Sequence, residues 1–250
     1  IQEILKRQLA GTSAEFTVHL SEATLARLHV LVRTSPREAP AYDVQAIETQ
    51  IAQATRRREE GLKAALVEAH GEAAAVPLLR RFVQAFPPAY RETVPASTAL
   101  RDIDFVRALG EDRPFAVDLY RRDGADAQAL RLRVYRVGAP VPLSASLPVL
   151  ENLGLEVLDE VSYEIRPAER GKPVFLHDFG LRSHRPIPDV AAVKAVTEEA
   201  LVRVARREIE NDGFNRLTPG AALAPDDVAV LRAYAKYLKQ AGGTFSQSYI

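Results

Sequence analysis

The side chains best suited to moving protons or holding a metal near neutral pH are five histidines: His19, His29, His70, His177 and His184. No two are four residues apart, the spacing that puts a pair of imidazoles on one helix face for a metal. His19 and His29 lie in two alternating apolar stretches that read as a hairpin, across which they could face each other as a weak metal site; the bland reading of two strand residues weighs more. His177 and Asp178 are strand neighbours and must point to opposite faces, which rules them out as an orienting dyad. His177 is expected to be a half-buried strand residue with a hydrogen-bond partner. Acids cluster at Glu156, Asp159, Glu160 and Glu164. Read at period two, Glu156, Glu160 and Glu164 share a polar, solvent-facing side rather than forming a carboxylate catalyst. The 13 glycines never occur as G-x-G, and no G-x-x-x-x-G-K is present. The close backbone approach that a standard dinucleotide or phosphate loop needs is therefore not encoded in these residues.

Composition narrows the class further. The 250 residues carry 33 basic and 33 acidic side chains, giving no net charge. A nucleic-acid partner normally demands a basic excess, because phosphate neutralisation supplies the affinity. The block Arg56, Arg57, Arg58, Glu59, Glu60 mixes signs and reads as a solvated helix face. Glu199 and Arg203 form a further i, i+4 pair. Without cysteine, neither a disulfide nor a thiolate zinc site is available. No apolar run approaches the roughly 20 residues of a membrane helix, and no signal-peptide core opens the chain, so the expectation is cytoplasmic, with no membrane partner.

Periodicity places these residues on elements. Phe16, Val18 and Leu20, then Leu28, Val30 and Val32, alternate as two strands. From Asp43, an N-cap, Val44, Ile47, Ile51 and Ala54 set a helical stripe that His70-Gly71 ends. Helical patterns follow over 75–86 and 97–109, with AFPPAYRETVP between them as a loop. Strands are expected around Phe115–Leu119, Leu130–Val134, Leu155–Ile165 and 174–181, the third with a bulge near Asp159. A short helix with Leu143, Leu147, Leu150 and Leu153 ends at Gly154. Its N-cap is expected at Ser144 or Ser146, so that Pro148 falls in the first turn. A helix from Asp189 to Asn211 ends at Asp212-Gly213. The last helix opens with Pro225, Asp226 and Asp227, buries Val228, Leu231, Ala235 and Leu238, and closes with Lys236, Lys239 and Gly242. Tyr234 and Tyr237 flank that stripe.

The fold class is therefore α+β: antiparallel sheet units with packed helices and a helical C-terminal part. Without its first strand, the region 113–211 has the β-α-β-β-α order of a ferredoxin-like unit, with helices on one face of the sheet. Three parts are expected: 1–112, a strand pair followed by helices; 113–188, the sheet unit; and 189–250, a helical segment. Phe245, Tyr249 and Ile250 are apolar residues expected to enter a further domain.

Four stretches carry a family resemblance: PVLENLGLEVLDEVSYEIRP (148–167), VFLHDFGL (174–181), ENDGFNRL (210–217) and LRAYAKYLKQAGGTFSQSYI (231–250). Together with FTVHLSEATLARLHVLVRT near the start, they resemble the large bacterial NAD-specific glutamate dehydrogenases in the region before the catalytic core. The helix-Gly-strand join at Glu151–Val157 is similar to an ACT-type unit, a ferredoxin-like module that binds amino acids or joins subunits. The resemblance implies a polypeptide that oxidises L-glutamate to 2-oxoglutarate and ammonia with NAD. Its lysine and Gly-rich segment would lie in a downstream catalytic domain of the same chain. No catalytic, cofactor or metal residue of that family is matched here, so the segment itself is expected to be inactive and to serve allosteric regulation, assembly or both, in a homo-oligomer. An amino-acid effector would sit at the strand-to-helix turn Gly138–Ser144, where helix N–H groups attract a carboxylate. The alternatives are a stand-alone amino-acid-sensing module and a structural interaction domain; an independent enzyme comes last.

Overall fold

The computed structural model describes residues 2–19, 27–35, 42–168 and 171–242. These fall into two compact units, Ile1–Ala75 and Val76–Ile250. In the first, helix α1 (Gln2–Gln8) precedes strands β1 (Gly11–His19) and β2 (Arg27–Thr34), which pair antiparallel. Helix α2 (Val44–His70) follows. Asp43 caps it as expected, its carboxylate accepting the N–H groups of Gln45 and Ala46, and Gly71 at φ 78° stops it. The register corrects the histidine pair: His29 lies opposite Thr17, and His19 opposite Arg27. Phe245, Tyr249 and Ile250 lie outside the described residues.

Helix α3 (Glu72–Phe82) leads into the second unit, where α4 (Pro88–Thr93) and α5 (Ala96–Ala108) follow. The stretch around Pro87-Pro88 is therefore not all loop. Pro87 stands at the N-cap and Pro88 opens the helix, where neither missing N–H costs a bond. Strands β3 (Phe115–Tyr120), β4 (Ala129–Val137), β5 (Leu155–Ile165) and β6 (Val174–Ser183) form one antiparallel sheet in the order β3-β4-β6-β5. Helix α6 (Leu143–Asn152) joins β4 to β5, and α7 (Val190–Ala205) follows β6. This is the strand order of a ferredoxin-like sheet whose last strand has moved to the front of the chain. The extra strand β3 thus occupies the place beside β4 that a closing strand would otherwise fill.

One sheet face packs on α6 and α7. Val117, Leu119, Leu130, Leu132, Val134, Phe179 and Leu181 meet Leu150, Leu153, Val193, Ala200 and Leu201 in a single buried cluster. The opposite face is also covered over β4 and β6, while Asp159 and Val161 of β5 stay exposed on it. Tyr135, Leu176 and Ile165, which project there, are fully buried, and Asp102 of α5 bonds Arg133 and Tyr135 on it. The expected one-sided alternation is corrected: β4 and β6 are buried on both faces.

Several boundaries moved for local reasons. Helix α6 starts at Leu143 behind Pro142, not at a serine cap, so Pro148 sits inside it. Its first turn closes instead through the Ala145 and Ser146 N–H groups, both donating to Pro142 O. Helix α7 ends at Ala205 rather than Asn211. The Arg207 N–H donates to Val204 O and the Glu208 N–H to Arg203 O, with Arg207 at φ 61° in the left-handed place usually given to glycine. Asp212 then starts a 3-10 turn (Gly213–Arg216) by accepting the Phe214 N–H. Helices α8 (Leu217–Ala221) and α9 (Pro225–Gln240) complete the described chain. On α9 the buried face is Val228, Arg232 and Ala235; Leu231 and Leu238 are exposed, against expectation. Arg232 takes the inner place because its guanidinium reaches Asp212 at 2.7 Å and Asn215 at 2.8 Å.

Candidate functional site

The densest group of ionisable side chains lies between α5 and the sheet. Asp102, with no exposed surface, accepts from Arg133 Nη1 at 2.5 Å and Tyr135 Oη at 2.6 Å, and also from Tyr90 Oη. Arg133 extends the chain of charges to Asp178 at 3.3 Å, and Arg131 bridges Asp178 at 2.9 Å and Asp159 at 3.0 Å. The Arg133 guanidinium also lies 5.4 Å from the Tyr120 ring centre. Strand geometry explains the gathering. Arg131, Arg133 and Tyr135 alternate onto one face of β4, and the β4–β6 register sets Arg133 directly opposite Asp178.

Burial governs the electrostatics. It pushes the Asp102 carboxyl up from the usual carboxylate range, while the Arg133 charge and the Tyr135 and Tyr90 hydroxyls pull the other way. Burial also works against the Arg133 cation, but Asp102, Tyr120, Tyr135 and Asp178 outweigh it and hold the group above the usual arginine value. Tyr135 is driven well above the usual phenol range, first by burial and then by Asp102. Tyr120 is raised by burial and by Asp178. The charges therefore satisfy one another, and what the cluster does is lock α5 onto the sheet.

His177 is more deeply buried than expected, at 4% exposure. Its Nε2 accepts the Val141 N–H at 3.0 Å, which puts the ring proton on Nδ1, 2.8 Å from Glu160 Oε1. Glu160 comes within reach because the β5 bulge between Val157 and Asp159 reverses the parity of the strand. Glu156 consequently lies on the face opposite Glu160 and Glu164, so the three do not share a side. The bulge itself, foreseen at Asp159, is accommodated by Gly180, where a Cβ would lie 2.6 Å from Asp159 Cγ.

At the turn before α6, Gly138 has φ 89° and its N–H already donates to Pro173 O at 2.8 Å. Ser144 is exposed in the first turn of the helix. With the Val141 N–H held by His177, two backbone donors of the Gly138–Ser144 stretch are committed within the protein. At the other sheet edge, Lys194 and Glu198 of α7 take up the free backbone of β3. Glu198 Oε1 accepts the Leu119 N–H at 2.7 Å, and Lys194 Nζ donates to Leu119 O at 2.7 Å. Asp102, Tyr90 and Tyr135 were not singled out by sequence reasoning. Tyr135 falls at the same period-two position as Arg131 and Arg133, the one local signal available. No helix among the described residues is long and apolar enough to cross a membrane.

Family models match four parts of the chain: "Glutamate dehydrogenase, ACT2 domain" at 1–59, "Glutamate dehydrogenase, helical motif 2" at 65–109, "Glutamate dehydrogenase, ACT3 domain" at 114–195 and "Glutamate dehydrogenase, helical motif 3" at 209–250. All of the chain is also similar to curated proteins named NAD-specific glutamate dehydrogenase. Identity is 38% with the one from Halomonas elongata and 35% with that from Pseudomonas aeruginosa, each matched over 15% of its length. With the protein from Mycobacterium tuberculosis it is 32%, over 16% of that length. A segment spanning about 15% of the length of these relatives, this chain belongs to the glutamate dehydrogenase family, whose four matched parts together cover most of it.

Proposed function

We propose that the chain is a non-catalytic segment of an NAD-dependent enzyme that oxidatively deaminates L-glutamate to 2-oxoglutarate, and that it serves assembly, regulation or both. The observation that carries this reading is the match of the whole chain to a small fraction of much longer relatives bearing that name. The proposed enzyme binds NAD and glutamate in other parts of its polypeptide, acts in the cytoplasm and forms a homo-oligomer. In this reading 113–188 is an ACT-like sheet unit and 189–250 a helical connection to the catalytic domain.

Two features support a supporting role. The clustered ionisable groups of the sheet are engaged with one another, as a scaffold requires and a reacting site does not. Helix α9 carries Val230, Leu231, Tyr234, Tyr237 and Leu238 exposed on one side. Amphipathic tyrosines on such a face suit a contact with further protein. The test uses the full-length polypeptide with Tyr234→Glu and Tyr237→Glu. The expected result is weaker assembly and a lower melting temperature, with KM for glutamate and NAD close to wild type. Loss of kcat with assembly and stability intact would contradict a supporting role.

A further inference from the structure

We infer that the second unit contains a binding site for a small organic dicarboxylate, in a cleft where the ends of β5, β6 and α6 meet the 3-10 turn and α8. The cleft has a volume of about 330 Å³, within the range that small-ligand sites occupy. It lies between the part matched as the ACT3 domain and the part matched as helical motif 3, at the end of the sheet unit opposite the Gly138–Ser144 turn.

Its lining is chemically one-sided. Three side chains that carry or can carry positive charge, His184, Arg185 and Arg216, line it together with Ser183, and no Asp or Glu does. The floor includes Leu153, Leu155 and Ile187, each almost fully buried. Charges above an apolar floor act through a lower effective dielectric than charges in open water. Several basic side chains elsewhere in this unit are engaged: Arg131, Arg133, Lys194, Arg203 and Arg232 have carboxylate partners, and Arg121 donates to four backbone carbonyls. Among the described residues, His184 and Arg185 have no such side-chain partner. Arg216 donates its Nε to Gly213 O at 2.7 Å, and its two Nη groups have no hydrogen-bond partner among the described residues.

The backbone around the cleft is well fixed. The His184 N–H donates to Gly154 O at 3.1 Å, and Gly154 holds φ 73° beside Arg216 Cβ and His184 Nδ1. Ser183 Oγ donates to Arg185 O at 2.6 Å. The cationic residues are thus presented by anchored chain, which lowers the ordering cost of binding. Two guanidinium groups match carboxylates in charge and in planar fork geometry. The apolar floor favours a ligand with a short hydrocarbon body between them, over a bare inorganic anion.

The test is calorimetric titration of the 250-residue chain at low ionic strength with succinate, and separately with inorganic phosphate. Wild type is expected to bind succinate more tightly than phosphate. Removing two charge-assisted bonds in Arg185→Gln/Arg216→Gln is expected to weaken succinate by at least about tenfold, since 1.4 kcal/mol is one decade and each such bond is worth at least that. Arg182→Gln removes an exposed positive charge on β6 that does not line the cleft, and should leave binding unchanged. Equal unfolding midpoints of all variants without ligand show that the fold is intact. Failure of wild type to bind succinate, binding that survives Arg185→Gln/Arg216→Gln, or phosphate binding the more tightly would each overturn the proposal.

Discussion

Replacing Asp102 by Asn removes one charge from the buried cluster and changes little else in volume. In the wild type this carboxylate has no exposed surface and accepts from Arg133, Tyr135 and Tyr90. Asn offers a single acceptor oxygen and turns an amide donor toward groups that themselves donate. Breaking a buried ion pair by deleting one partner costs about 3–5 kcal/mol. The lower end applies here, because Arg133 keeps Asp178 at 3.3 Å. For a unit of this size each kcal/mol moves the melting temperature by about 2–4 °C, so about 3 kcal/mol lowers it by about 6–12 °C. The assay is thermal unfolding at pH 7, followed by tyrosine near-UV circular dichroism and by calorimetry. Adding Arg133→Met should recover part of the loss, because a buried pair replaced on both sides by apolar groups is often near neutral. A shift under about 2 °C for Asp102→Asn, or no recovery in the double variant, would refute the claim that this pair locks α5 to the sheet.

Other consequences follow from the same geometry. Tyr135 has a folded-state pKa raised well above that of the unfolded chain, so its contribution is complete below about pH 10 and is lost as pH rises through the folded value. Urea unfolding from pH 8 to 11 should show falling stability at the alkaline end, with a shallower fall in Tyr135→Phe; parallel curves would count against this. His177→Phe strips the Val141 N–H and Glu160 of their partner, and should cost about 2 kcal/mol and speed amide exchange at the start of α6. Urea midpoints and exchange rates equal to wild type would show that the bonds do not matter. Lys194→Ala/Glu198→Ala uncovers the Leu119 backbone at the edge of the sheet. Concentration-dependent self-association by light scattering is expected, and a strictly unchanged mass would speak against edge protection.

Local signals in the sequence were legible where they act locally. The Asp43 cap, the Gly71 stop, the bulge near Asp159 and the Pro225 start each depend on a few adjacent residues, and the structure has all four. What was not legible depends on distant partners. Arg133 is buried because Asp102, 31 positions earlier, is placed over it. The same holds for Arg232, which displaces Leu231 from the inner face of α9 because Asp212 and Asn215 come round to meet it. The end of α7 was misread because Arg207 adopts the left-handed conformation that glycine normally marks. A bulge was foreseen, but not its consequence: one extra residue turned Glu160 from solvent toward His177. His184, Arg185 and Arg216 gave no signal, since loops and turns bring them to one cleft.

The proposed role is tested most directly by following NADH at 340 nm after adding L-glutamate and NAD⁺ to two samples, the full-length polypeptide containing this chain and the 250-residue chain alone. The account predicts steady NADH formation by the first and none by the second. Turnover by the isolated chain, or an inert but folded full-length protein, would contradict it.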